Sequence, residues 1–75
     1  MKVIFDQETD SLSLIFRDEK VAESDELKEG LIIDYDRKGR IISIEVLDAS
    51  ERITDPNGIK FELKGKRAIP AALHS

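Results

Sequence analysis

The residues best suited to chemistry in this chain are acids at the spacing of a calcium-binding loop. Asp34, Asp36, Gly39 and Glu45 match the first, third, sixth and twelfth positions of that template. The template uses these types because Ca²⁺ is held by carboxylate oxygens around a sharp glycine turn. Lys38 departs from it, since an ammonium group stands at the fifth position, where an oxygen ligand belongs.

The same segment also has the pattern of a β-hairpin. Apolar and polar residues alternate on both sides of Asp36-Arg37-Lys38-Gly39, and a four-residue loop there places Ile33 opposite Ile42. Most of the large apolar residues then lie on one side of the hairpin, and Ile32, Ile41 and Leu47 lie on the other. Gly39 is expected to take a positive φ in the turn.

This register decides between the two interpretations. It pairs Glu45 with Gly30 and separates the Glu45 and Asp34 carboxylates by about 13 Å, at roughly 3.3 Å per residue. The sequence therefore predicts no metal site and no acid–base pair. Asp34 and Asp36 are expected to accept backbone N–H groups in the turn, and Glu45 to pair with a Lys or Arg across the sheet. These three acids are the candidate functional residues, and no catalytic residue is assigned.

The elements that position these acids follow from the same alternation. Residues 7–10 supply a turn between two short strands, and that hairpin places Phe5 opposite Leu12 and Val3 opposite Leu14. The sequence thus predicts two hairpins, one on each side of a charged stretch.

The remaining segments complete the predicted fold. Within residues 17–30, the charged segment 22–30 fits a loop, an irregular edge or a turn of helix begun at Ser24, and a loop with one helical turn at most is favoured. Residues 59–63 are expected to form a fifth strand. A short helix over 49–53 should begin with a capping box formed by Asp48 and Glu51. The predicted class is α+β and mainly β: an antiparallel β-meander of two hairpins plus a fifth strand, with one short helix after the second hairpin. Residues 1–75 make a single domain with a poorly ordered tail, 65–75.

The chain resembles the YuzE-like family of small prokaryotic proteins, a domain-of-unknown-function family numbered 2283. Ser13 stands where that family usually has an aromatic residue, and Ser43 replaces a common glycine. The positions that carry the resemblance are Phe5-Asp6, Asp10, Leu12-Ser13-Leu14, Gly30, Asp34-Tyr35-Asp36, Gly39, Ile41, Ser43-Ile44-Glu45-Val46-Leu47 and Ala49-Ser50.

The resemblance implies a small β-meander with a short helix and no assigned activity. Some members of the family are encoded beside small toxin-like proteins, so the resemblance also implies an antitoxin-like role.

Composition narrows the classes of function. The chain has no cysteine, which excludes disulfides and thiolate metal sites. Its 12 basic and 16 acidic residues give a net charge of −4, which argues against nucleic-acid binding through phosphate neutralisation. Neither a secretory signal nor a membrane-spanning apolar run is present, so a cytoplasmic location and no membrane partner are expected. No cofactor is predicted.

Apolar residues on the second face of the central hairpin point to a protein partner. Ile32, Ile41 and Leu47 would be exposed there, because a five-residue helix covers little of a five-stranded sheet. We therefore predict a homodimer or a heterologous protein partner, and a non-enzymatic protein–protein interaction module as the function. The alternative is a metal-binding or small-ligand-binding regulator that uses Asp34, Asp36 and Glu45.

Overall fold

A computed structural model of the chain describes residues 1–65 as one five-stranded sheet and a short helix. All strand pairs are antiparallel, so the predicted mainly β class, with one short helix after the last strand, is confirmed. The elements are β1 (Lys2–Asp6), β2 (Ser11–Ile15), β3 (Glu23–Lys28), β4 (Leu31–Tyr35), β5 (Ile41–Val46) and α1 (Ala49–Arg52).

The strands lie in the order β1-β2-β5-β4-β3. The last three strands follow one another as a meander, whereas β2 pairs with β5 instead of with the next strand along the chain. This is a Greek-key order in which residues 16–22 make the long connection. As a result, β5 is the central strand, and β1 and β3 are at opposite ends of the sheet.

The first hairpin has the predicted register. Phe5 lies opposite Leu12 and Val3 opposite Leu14. Its turn is held locally, because an Asp6 carboxylate oxygen accepts the backbone N–H of Glu8 at 3.0 Å.

The second hairpin has a different register from the predicted one. Ile33 lies opposite Ile44, whereas the predicted partner was Ile42. Nearer the turn, a bulge between Asp34 and Tyr35 interrupts the ladder and shifts the pairing by one residue. A two-residue slip keeps every side chain on its face, so the alternation that predicted the register could not distinguish the two pairings. The positive φ expected for Gly39 is confirmed at 81°.

The charged stretch contains a strand where a loop was predicted. Glu23–Lys28 pairs with β4 and is joined to it by a two-residue turn in which Gly30 has φ 82°. Conversely, the strand predicted over 59–63 is wrong, because this segment forms no strand in the structure. The sheet therefore has the predicted number of strands, but its fifth member comes from another segment.

The two faces of the sheet differ in chemistry. On the apolar face, Leu12 and Ile33 are buried and the other six side chains are half-buried. Its members, given by the register, are Val3, Phe5, Leu12, Leu14, Leu31, Ile33, Ile44 and Val46. The opposite face, which we call the polar face, has fewer apolar residues. It carries Ser13, Ser24, Glu26, Asp34, Ser43 and Glu45, together with Ile4, Ile15 and Ile32.

Helix α1 is capped from a distant part of the chain. Asp48 adopts a left-handed conformation with φ 52° and makes no side-chain cap, so the predicted capping box is wrong. Asp10 takes its place: its backbone oxygen accepts the N–H of Ala49 at 2.8 Å, and its carboxylate accepts the N–H of Ser50 at 3.0 Å. The Ser50 hydroxyl adds a third bond to Asp10 at 2.6 Å.

Two predictions concern regions beyond these elements. Apart from Gly65, the tail predicted to be poorly ordered lies outside the described residues. Within residues 1–65, no helix has the length and apolar content needed to cross a bilayer.

Candidate functional site

The polar face centres on Asp34 of strand β4. Only 5% of this residue is exposed, and each of its carboxylate oxygens accepts a serine hydroxyl. Ser24 of β3 donates to one oxygen, and Ser43 of β5 donates to the other at 2.6 Å. Both serines lie directly opposite Asp34 on the neighbouring strands, so the sheet register itself places the donors.

Glu45 lies next to Asp34. The observed register places Ser43 opposite Asp34 and Glu45 opposite Ile32, which makes the two acids diagonal neighbours on one face. Their carboxyl groups are close enough for each to shift the pKa of the other. The predicted separation of about 13 Å is therefore wrong, because it assumed a pairing two residues away. Glu45 also has an acid as its partner, not the predicted Lys or Arg.

These contacts shift the two pKa values in opposite directions. Burial alone would raise the pKa of Asp34, but the hydrogen bonds from Ser24, Ser43 and Glu45 outweigh it and lower that pKa. The hydrogen bond to Asp34 raises the pKa of Glu45, and burial and the neighbouring negative charge raise it further. Asp34 is thus the stronger acid of the pair and Glu45 the weaker one.

Asp36 has a separate set of partners in the β4–β5 turn. Its carboxylate accepts the backbone N–H groups of Lys38 and Arg40, each at 2.9 Å, as predicted for turn chemistry. The Arg40 guanidinium also bonds it at 2.8 Å and reaches Glu19 at 3.1 Å. The Arg40 N–H, more than the other contacts, lowers the pKa of Asp36 to about 2.

The three acids of the calcium-like spacing therefore do not form one ligand set. Asp34 and Glu45 share a site, whereas Asp36 is bound to Arg40. Within the part of the chain that the structure describes, no three Asp, Glu, His or Cys side chains are grouped so that they could hold a metal ion. Of the two aspartates in the D-x-D spacing, Asp36 stabilises the turn and Asp34 bonds to the neighbouring strands of the sheet.

The three interface candidates have different exposures. Ile41 is 41% exposed, while Ile32 and Leu47 are half-buried. Their role in binding a partner stays a prediction.

Two exposed segments were not among the predicted site residues. All six residues of β3 are exposed, and this strand, which we call the acidic edge, carries Glu23, Asp25 and Glu26 against one Lys28. Residues 59–64, which we call the arm, leave their three large apolar side chains mostly exposed. Apolar alternation could not reveal the acidic edge, because an end strand need not bury either face.

The comparisons with known proteins identify a family. No curated protein and no solved structure matches the chain. A family model described as "Protein of unknown function (DUF2283)" matches residues 2–50, which include all five strands and the Asp34–Glu45 pair. The resemblance to the YuzE-like family is thereby confirmed, and the chain belongs to the DUF2283 family.

Proposed function

We propose that this protein is a non-enzymatic protein–protein interaction module, and that it binds a partner through the acidic edge. The observation that carries this proposal is the exposure of all six residues of β3 at the end of the sheet. Among the strands within residues 1–65, β3 pairs with β4 alone. No strand within residues 1–65 pairs with its other side, where a further strand could be added.

The chemistry of the edge selects the kind of partner. An end strand offers a row of backbone N–H and C=O groups, and an extended segment that pairs with them gains several hydrogen bonds at once. Glu23, Asp25 and Glu26 surround this row with negative charge, and the whole chain has a net charge of −4. An extended basic segment of another protein is therefore the complementary ligand, and its charge would also speed association.

The resemblance to the YuzE-like family points to one class of partner protein. Small toxin-like proteins encoded beside some family members are candidates for the partner, which would make this chain antitoxin-like. A second copy of the chain is the other candidate.

A non-enzymatic role agrees with the condition of the acids on the polar face. Both carboxylate oxygens of Asp34 already accept hydroxyl groups, and the residue is only 5% exposed. A substrate would have to open this packed contact before it could reach Asp34.

The alternative, a metal-binding or small-ligand-binding regulator, has less support. Asp36 is separated from the Asp34–Glu45 pair by its bonds to Arg40. An open cleft of about 570 Å³ lies beside it, lined in part by Lys20, Arg37 and Lys38, and would be the place for a small anionic ligand. Titration calorimetry with calcium or manganese is the direct test, and no heat is expected.

The main test begins with purification of the tagged protein from its native host, followed by reconstitution with the purified partner. We expect the double variant Glu23→Lys, Asp25→Lys to bind that partner at least about tenfold more weakly, because like charges would then face each other. Glu8→Lys combined with Glu51→Lys makes the same charge change at exposed positions outside β3 and should bind normally. Full affinity in the β3 variant would refute the proposal, as would a protein that is monomeric across the micromolar range and copurifies with nothing.

A further inference from the structure

We propose that a second copy of this chain occupies the acidic edge, with the arm of each protomer adding to β3 of the other. This inference rests on the proposed function, because it names a partner for the same docking strand. It combines two segments that lack a partner among the described residues: an end strand with exposed backbone groups and an extended apolar segment.

The arm has the sequence of a strand but pairs with no strand in the described part of its own chain. Ile59, Phe61 and Leu63 alternate with charged residues, which is the pattern of a strand with one apolar side. These three side chains are 64%, 79% and 67% exposed, respectively. Large apolar groups at this exposure lie on a surface suited to binding.

The arm lies at the wrong end of the sheet to reach its own β3. Ile59 lines a cleft with residues 4–8 of the β1 end, and the neighbouring Asn57 accepts a bond from Gln7 at 3.4 Å. From β1 to β3 there are four strand spacings, or about 19 Å. The six residues of the arm span at most about 20 Å when fully extended, so crossing the sheet would leave none to lie along β3.

Charge favours β3 over β1 as the acceptor in a second copy. The arm carries Lys60 and Lys64 against one acid, Glu62, and is therefore net positive. The acidic edge has three acids and one lysine, whereas β1 has one residue of each sign, Lys2 and Asp6. Only the β3 edge is complementary to the arm.

A two-fold axis parallel to the strands would bring the arm of each protomer to the acidic edge of the other. If the apolar faces stack about 10 Å apart around such an axis, β1 of one protomer lies over β3 of its partner. Each arm then emerges beside the acidic edge that it is to join. The same arrangement covers the six half-buried side chains of the apolar face and closes the assembly at two copies.

A charge-swap experiment tests this arrangement by analytical ultracentrifugation. The edge variant is Glu23→Lys, Asp25→Lys, and the arm variant is Lys60→Glu, Lys64→Glu. Each variant alone should dimerise at least about tenfold more weakly than the wild-type chain. An equimolar mixture should restore the dimer, because the reversed arm meets the reversed edge while the native arm meets the native edge.

Two further variants test the apolar contact of the arm and the position dependence of the charge effect. Phe61→Ser should weaken the dimer without affecting the fold, since its side chain is 79% exposed, and circular dichroism checks the fold of every variant. Asp18→Lys with Glu51→Lys makes the same charge change at exposed positions outside β3 and outside the cleft at Ile59, and should dimerise like the wild type. A wild-type chain that is monomeric across the micromolar range overturns the inference, as do single variants with unchanged dimerisation or a mixture that restores nothing.

The outcome also separates this inference from the proposed function. If the dimer is absent but a basic partner still binds in a β3-dependent way, the second copy is wrong and the docking strand stands. If neither association depends on β3, both proposals fail.

Discussion

Asp34 and Asp36 are two residues apart, yet the protein stabilises their charges in opposite ways. Asp36 is paired with a cation, Arg40, and with backbone N–H groups of its turn. Within residues 1–65, Asp34 has no cation among its side-chain partners and relies on the hydroxyls of Ser24 and Ser43, with Glu45 beside it. Both pKa values are lowered, but only the Asp34 site raises the pKa of a second acid. A shared spacing therefore does not imply a shared ligand.

Removing Asp34 should give the largest effect in this comparison. In Asp34→Ala the hydroxyls of Ser24 and Ser43 lose their acceptors, so we expect the free energy of unfolding to fall by about 2 to 3 kcal/mol. Urea denaturation at neutral pH measures the change. Asp34→Asn keeps one acceptor oxygen and should lose less. An Asp34→Ala protein as stable as the wild type would show that the polar face is not held by this acid.

Neutralising Glu45 should raise the free energy of unfolding, whereas removing Asp34 lowers it. Because its folded pKa is raised, Glu45 contributes stability that is complete below its ordinary pKa of 4.5 and is lost as pH rises through the folded value. Glu45→Gln removes that loss and can donate to Asp34, so at neutral pH it should be more stable by about 1 kcal/mol. Urea denaturation at several pH values tests this, with the exposed Glu8→Gln as the control. A destabilised Glu45→Gln protein at neutral pH would mean that the charge is favourable.

The smallest effect is expected at the turn. The lowered pKa of Asp36 gives stability that is present above the ordinary value of 3.8 and is lost as pH falls through about 2. Arg40→Gln removes only the contribution of the guanidinium to the lowered pKa of Asp36, since the backbone N–H of residue 40 still bonds Asp36. The midpoint of acid unfolding should rise by up to about one pH unit, followed by circular dichroism, while Arg37→Gln leaves it in place. An unchanged midpoint in Arg40→Gln would assign the low pKa wholly to the backbone.

The two hairpins show how far apolar alternation predicts a fold. It placed Phe5 opposite Leu12 correctly, but it placed Ile33 two residues from its observed partner. Alternation excludes a one-residue slip, because such a slip reverses the faces, and it is silent about a slip of two. The bulge after Asp34 accompanies the observed register of the second hairpin, and a bulge has no strong signal in the sequence.

The sequence predicted which acids belong to the candidate site but not how they are arranged. Asp34, Asp36 and Glu45 were identified by type and spacing, but the contact between Asp34 and Glu45 depends on the register that alternation leaves open. Ser24 could not be predicted as a site residue for another reason: it lies in β3, an exposed end strand without an apolar pattern. Residues 59–63 show the converse: their pattern is that of a strand, but the described part of the chain gives them no pairing partner.

The bond between Asp10 and the start of α1 bears on the order in which the molecule folds. Asp10 and Ser50 are separated by 40 positions, so the helix gains its cap only after the first hairpin has docked on β5. A four-residue helix has no stability of its own, because forming one turn costs more conformational entropy than its hydrogen bonds return. We therefore expect helix α1 to form late in folding, after β2 has paired with β5.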